Sequence, residues 1–177
     1  SLCELMGGSM GVESVLGKGS MFWFELPFVV GSKAQTNFED YKTQIASLKD
    51  KKAIVIDDSK TAREIVKKYL LGWGLVVDCA PGASEAMEKL LEAVNSGSPY
   101  HLAVVDLAMP EIDGFELAKN IFASKELQNT KCILFTAFDQ KGVGSDALEI
   151  GYSAYLTKPI KQGALLKATI DSLQDKK

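Results

Sequence analysis

Two kinds of hydrophobic pattern alternate through most of this chain. From Lys52 onward, short apolar runs at 53–56, 75–77, 102–105, 133–135 and 154–156 are separated by stretches whose apolar residues recur at helical spacing. The runs favour β-branched residues and are too short for helices. The clearest helical stretch carries Ala62, Ile65, Val66, Tyr69 and Leu70, with Gly72 as its stop. A second carries Met87, Leu90, Leu91 and Val94 and stops at Gly97. A third runs from Asp113 through Leu117 and Ile121, a shorter fourth ends at Gly151, and the last sets out Leu166, Ile170 and Leu173. Strand followed by helix, five times over, predicts an α/β fold. Continuous apolar strands need cover on both faces and crossovers are right-handed, so the sheet is parallel and doubly wound.

The beginning of the chain differs in kind. Six of the fifteen glycines fall in the first 31 residues. Residues 1–8 read as the end of a helix stopped by two glycines, and 10–15 and 20–29 as two strands joined by the turn LGKG. In the second strand Phe22, Phe24 and Leu26 share one face, with Met21, Trp23 and Glu25 on the other. A single hairpin is marginal in water, so residues 1–30 are expected to be the tail of a larger domain. Residues 31–51 are polar and read as a linker. Within it Phe38, Tyr41, Ile45 and Leu48 predict a short helix, with Asn37 as its cap. Residues 52–177 form the α/β domain.

Composition narrows the classes. Hydrophobic residues make up 46% and charged residues 24% of the 177, with mean hydropathy near zero, as in a globular protein. A net charge of −3 gives no basic footprint for nucleic acid. Cys3, Cys79 and Cys132 are too scattered for a metal site and odd in number, which favours buried thiols in a reducing compartment, hence a cytoplasmic chain. The longest apolar stretch, 21–30, is cut by Glu25 and Pro27 and is too short to span a bilayer; the intact parent protein is left open to a membrane anchor elsewhere.

The chemistry gathers at one edge. In a parallel sheet all C-terminal strand ends share an edge, and ligands bind there. The first strand delivers Asp57 and Asp58, the third Asp106, the fourth Thr136, and the fifth leads into Thr157, Lys158 and Pro159. Three crowded carboxylates repel unless a cation is present, and hard oxygen ligands suit Mg²⁺ or Mn²⁺. Lys158 and the Thr136 hydroxyl could clamp phosphoryl oxygens while an aspartate attacks phosphorus. Taken singly, each residue has a plainer reading: Asp57 or Asp58 as a helix cap, Asp106 as a loop carboxylate, Lys158 as a surface lysine. Their coincidence at successive strand ends favours the functional one.

The segments AIVIDDS (53–59), VVDLAMPEIDG (104–114), ILFTAF (133–138) and GYSAYLTKPI (151–160) resemble the receiver domains of two-component response regulators. The resemblance covers roughly residues 51–177 and implies a flavodoxin-like sheet with strand order 2-1-3-4-5. It implies Asp106 as the phospho-accepting residue and Mg²⁺ held directly by Asp58 and Asp106, through water by Asp57, and by the backbone carbonyl of Ala108. Thr136 and Lys158 would contact the phosphoryl group, the Lys158–Pro159 bond would be cis, and Tyr155 matches the aromatic switch position that follows Thr136. The donor and acceptor partners would be a histidine kinase or a histidine phosphotransfer domain. Positions 108 and 138 carry Ala and Phe, neither able to position water, so slow self-dephosphorylation is expected.

LCELMGGSMGVESVLGKGSMFWFELPF (2–28) is similar to the last helix and strands of the ATP-binding domain of sensor histidine kinases. With a receiver behind it, this is the order of a hybrid sensor kinase. The upstream kinase boxes are absent, so the chain as a whole is expected neither to bind ATP nor to act as a kinase; its only catalysis would be phosphorylation and dephosphorylation of its own Asp106. Its aromatics are expected to be core left uncovered, with homodimerisation through this segment as a consequence.

Other signals fail. Five residues separate Gly11 from Gly17 where a phosphate loop has four, and Lys18 precedes Gly19, so this is not a phosphate loop. Gly142, Val143 and Gly144 read as a turn, and His101, without an acidic neighbour, as structural. Two rival functions remain: an aspartyl-phosphate hydrolase of small phosphomonoesters, which would need an acid where Ser59 stands, and an interaction module independent of phosphorylation. A flavin-nucleotide binder is disfavoured because the DDSK stretch would repel phosphate. No DNA-binding segment follows the last helix, so no transcriptional output is expected.

Overall fold

A computed structural model describes residues 2–28, 42–137 and 142–174. The chain divides into two compact units, one within residues 1–39 and one within 40–177. In the first, α1 (Leu2–Leu5) leads into an antiparallel hairpin of β1 (Ser9–Val15) and β2 (Gly19–Glu25), paired from Ser9↔Glu25 to Val15↔Gly19. The turn falls at the expected LGKG, where Gly17 and Gly19 take φ of 80° and 105°. Gly11 faces Trp23, and a Cβ there would fall 2.6 Å from the indole, so the missing side chain makes room for the ring. Phe22 and Phe24 are 77% and 70% exposed, and Met21 and Trp23 on the other face are exposed too.

The second unit begins with a helical turn, α2, over residues 42–46. Of the predicted linker helix, Asn37, Phe38 and Tyr41 lie outside the described residues. Leu48 is 1% exposed and belongs to the core, and the Asp50 N–H donates to Gly74 O, so this end of the linker packs onto the α/β unit. Then follow β3 (Lys52–Ile56), α3 (Lys60–Gly72), β4 (Val76–Ala80), α4 (Ala83–Asn95), β5 (Leu102–Asp106), α5 (Gly114–Ala123), β6 (Lys131–Thr136), α6 (Val143–Ile150), β7 (Ala154–Thr157) and α7 (Gln162–Leu173). The sheet is parallel with order β4-β3-β5-β6-β7, which is 2-1-3-4-5 counted from β3, as expected.

Period-two alternation divides the strands between two cores. Ile54, Ile56, Ala103, Val105 and Leu134 pack with Leu90, Leu117 and Ile121 on one face. Ala53, Val55, Val104, Ile133 and Phe135 pack with Val66, Leu70, Leu165 and Ile170 on the other. Each fully buried Leu or Ile contributes about 1.5–3 kcal/mol, so this double cover holds the strand ends in place. All five residues of β5 are buried, whereas β7, at the sheet's edge, exposes every second residue.

Several boundaries differ from the sequence reading: the strand read at 75–77 is β4 at Val76–Ala80, and the one read at 20–29 is β2, which ends at Glu25. Gly72 is the last residue of α3, as read, and the reversal follows at Gly74, φ 89°, where the Leu75 N–H returns to Leu70 O. Val143 and Gly144 are not a turn but the first residues of α6; only Gly142, φ 106°, has turn geometry. Ile65, assigned to the buried stripe of α3, is 42% exposed, because that helix seats itself on Val66 and Leu70.

Candidate functional site

The C-terminal ends of β3, β5 and β6 deliver Asp57, Asp106 and Thr136, which are 2%, 4% and 5% exposed. Burial follows from the backbone: Asp106 is still paired with Phe135 in the sheet, and Thr136 with Thr157. Asp58, one residue further out, is exposed. Oxygens of the three carboxylates lie within 4.8 Å of one another. Lys158, directly after β7, reaches back across the edge. Its Nζ donates to Asp57 Oδ2 at 2.8 Å and stands 2.8 Å from Asp106 Oδ1. Its backbone N–H donates to Thr136 O at 2.8 Å, and the Lys158–Pro159 bond is cis, as expected. The sequence-named acids, threonine and lysine therefore meet in one place.

Electrostatics express the crowding. Burial pushes the Asp106 carboxyl above its usual range; the Lys158 hydrogen bond and charge oppose this, and Asp57 and Asp58 add to it. Burial works against the Lys158 charge, but hydrogen bonds and attraction from Asp106 and Asp57 outweigh it and raise the ammonium's pKa. Three hard-oxygen donors, two of them buried and one open to solvent, fit a divalent cation of the Mg²⁺ class that keeps part of its water.

Local contacts brace the acidic loop. Asp57 Oδ1 accepts from the Ser59 N–H at 2.8 Å, and the Ser59 hydroxyl accepts from the Ala62 N–H as the cap of α3. Ser59 is thus committed to the helix where the hydrolase reading needs an acid. Arg63, which the sequence reading missed, donates through Nη1 to the backbone carbonyls of Asp57 and Asp58. The only signal for it was its place one turn into the helix behind the acidic pair. On the other side Asp113 caps α5 by accepting from the Glu116 N–H, and Gly114 lets that helix approach: a Cβ there would fall 2.6 Å from Asp106 O.

The remaining predicted residues take separate places. Ala108 is exposed in the loop after β5. Tyr155, in β7, is 40% exposed. Phe138 lies outside the described residues. His101 stands at the opposite edge of the sheet, before β5, where its Nδ1 accepts the Lys52 N–H at 3.1 Å. The three cysteines are unpaired, and burial pushes the Cys132 thiol up to about 12. Among the described residues no helix is long and apolar enough to cross a membrane.

A parallel 2-1-3-4-5 sheet with a lysine-bridged aspartate cluster at its C-terminal edge defines a class of phosphoryl-transfer signalling domain. Residues 53–170 match the response regulator receiver domain, and the chain belongs to that family: it carries a receiver domain of two-component systems. The match of the solved chemotaxis protein CheY4 of Vibrio cholerae has a TM-score of 0.62 at 25% identity, covering 70% of this chain and 99% of that one. A receiver domain protein from Clostridium thermocellum also gives 0.62 at 25% identity, over 70% and 94% of the two chains. Longer relatives include the sensory/regulatory protein RpfC of Xanthomonas campestris, 24% identical over 96% of this chain, and the autoinducer 2 sensor kinase/phosphatase LuxQ of Vibrio parahaemolyticus, 28% identical over 98%. The chain spans only 26% and 20% of the length of those two relatives.

Proposed function

We propose that Asp106 accepts a phosphoryl group from a histidyl phosphate on a kinase or phosphotransfer partner, in a Mg²⁺-dependent reaction. The observation that carries this reading is the Lys158 ammonium, 2.8 Å from both Asp57 and Asp106 beside the buried Thr136. Asp57, Asp58 and Asp106, with the Ala108 carbonyl, would hold the cation. Bound there, it would offset the carboxylate charge and draw in phosphoryl oxygens. An Asp106 carboxylate oxygen forms the new bond to phosphorus as the bond to the imidazole nitrogen breaks, and the imidazole leaves with that electron pair. Lys158 follows the transferred charge from carboxylate to phosphoryl oxygen, and the Thr136 hydroxyl donates to a second. Thr136 and Tyr155 then bias an inactive–active equilibrium of the face built by α6, β7 and α7.

The decisive experiment is intact-mass analysis after incubation with Mg²⁺ and acetyl phosphate. One added phosphoryl group, lost in Asp106→Asn and absent with ATP alone, supports the reading. No adduct under conditions where Mg²⁺ binds would favour the interaction-module alternative.

For residues 1–30 we propose the C-terminal part of a kinase ATP-binding domain, joined by the 31–51 segment to the receiver at 52–177. Its resemblance in sequence supports this, as do the relatives whose similarity extends across almost all of this chain. A hybrid kinase acting in the cytoplasm is the parent protein this arrangement fits. The exposed Phe22, Phe24 and Trp23 also favour self-association, which light scattering over a concentration series tests: a constant monomer mass excludes it.

A further inference from the structure

Glycine is a poor helix residue, and most glycines of this chain have an evident backbone reason. Gly142 and Gly151, at the two ends of α6, have φ of 106° and 118°. Gly144 has none: it is the second residue of α6, and its φ is not positive. What its missing side chain admits is a ring. A Cβ on Gly144 would fall 2.6 Å from Tyr155 Cε1 and 2.8 Å from the Tyr155 hydroxyl, closer than any side chain tolerates. By contrast a Cβ on Gly163, in α7, would meet nothing within 4 Å.

The position of that ring matters because of the sheet. Tyr155 pairs with Leu134, and Thr136 pairs with Thr157. Side chains alternate along strands, so Leu134, Thr136, Tyr155 and Thr157 all rise from the same face, the one that α6 covers. Tyr155 thus stands one pleat from Thr136 at the carboxylate site, with its ring resting on the bare backbone of α6.

We propose that Gly144 is the seat of the Tyr155 ring, and that the residue at 144 sets the equilibrium between this seated ring and one turned away from α6. Any side chain at 144 evicts the ring. In the unphosphorylated protein the seat holds the ring on α6; losing it releases the ring toward Thr136 and makes the domain easier to phosphorylate. Only that last consequence rests on the reading of Asp106 as the acceptor. Gly144 is a positioning residue, acting through Tyr155.

The test compares wild type, Gly144→Ala, Tyr155→Ala and the double variant. Ring-labelled tyrosine in NMR, with Tyr155 assigned among the five tyrosines by Tyr155→Phe, reads the seat directly in unphosphorylated protein. The Tyr155 signal is expected to move in Gly144→Ala while the other four stay; an unmoved signal overturns the proposal. Thermal melts supply a cycle. Alanine at 144 should raise the melting temperature when residue 155 is Ala, since Ala is the better helix former, and lower it or leave it unchanged when Tyr155 is present. Equal shifts in both backgrounds overturn it. Phosphorylation by acetyl phosphate should be about fivefold faster in Gly144→Ala than in wild type, the lower end of ordinary site-to-site coupling. An unchanged rate with a displaced ring would overturn the coupling. Wild type that takes up no phosphoryl group would count against Asp106 as acceptor, while the NMR and melting arms still decide the seat.

Discussion

Lys158 Nζ stands 2.8 Å from Asp106 Oδ1 although the two residues arrive from different strands of the sheet. The contact restrains a carboxylate that burial and its acidic neighbours push toward protonation. Neutralising Asp106 should therefore stabilise the metal-free domain. Asp106→Asn is expected to gain about 1 kcal/mol, a few degrees in melting temperature, because crowded like charges cost energy that an amide does not. Lys158→Met should lose about 2 kcal/mol, since it leaves two buried carboxylates facing each other. Melts in the presence of a chelator check both signs.

Mg²⁺ should reverse part of this. A ligand that binds only the folded state stabilises by RT ln(1 + [L]/Kd), about 1.4 kcal/mol at ten times the dissociation constant. The melting temperature is expected to rise with Mg²⁺ in wild type and hardly at all in Asp58→Ala, whose exposed carboxylate contributes little to the metal-free fold.

Arg63 holds two backbone carbonyls of the acidic loop at once. Both bonds leave one nitrogen, Nη1, which lies one covalent bond further from the backbone than a lysine Nζ, so Arg63→Lys and Arg63→Ala should both weaken Mg²⁺ binding about tenfold in calorimetric titration, with little change in unfolding midpoint. A full rescue by lysine would mean that charge alone matters.

How far the site was legible follows from where each residue acts. Asp57, Asp106, Thr136 and Lys158 could be read because parallel topology sends every strand's C-terminal end to the same edge, so strand order was not needed to gather them. Arg63 and Gly144 could not. An arginine on a helix looks solvated until the loop beneath it is folded, and a helical glycine looks like a turn until a ring from another element is found in its place. Leu48 was read as linker because its cover comes from residues far along the chain, Val66 and Leu70 among them. The hairpin was visible from alternation and its Gly-rich turn, but alternation does not say that the aromatics of both its faces are exposed.

His101 gives a pH dependence at the opposite edge of the sheet. Burial, then the charge of Lys51, lowers its pKa, against an opposing contribution from the Lys52 backbone. A depressed pKa means the unfolded chain binds the proton more readily, so stability falls as pH drops. The contribution is complete above about 6.5, the ordinary histidine value, and is lost as pH descends through the lower folded value. Urea midpoints measured from pH 7.5 to 5 should show this slope, reduced in His101→Asn, whose amide oxygen can accept the same N–H without titrating.

The acyl phosphate should be long-lived, because the Ala108 methyl cannot hold a water for attack, and the same is expected of Phe138. Phe138→Glu is expected to hasten loss of phosphate about tenfold, well within the range of a positioned acid or base. Mass spectra taken through a chase without donor measure it, and an unchanged half-life would assign the persistence to another part of the site.

Strand burial is uneven in a way that gives any signal a direction. β5, which ends in Asp106, is closed over on both sides, so displacing it would open two cores together. β7 lies at the rim with half of its residues in solvent. Of the two rims, β7 has no buried residue and β4 has two, so chemistry at the centre of the sheet has its less costly way to change shape outward through β6 to β7. A partner that reads the proposed phosphorylation is therefore better placed beside that rim than over β4, on the far side.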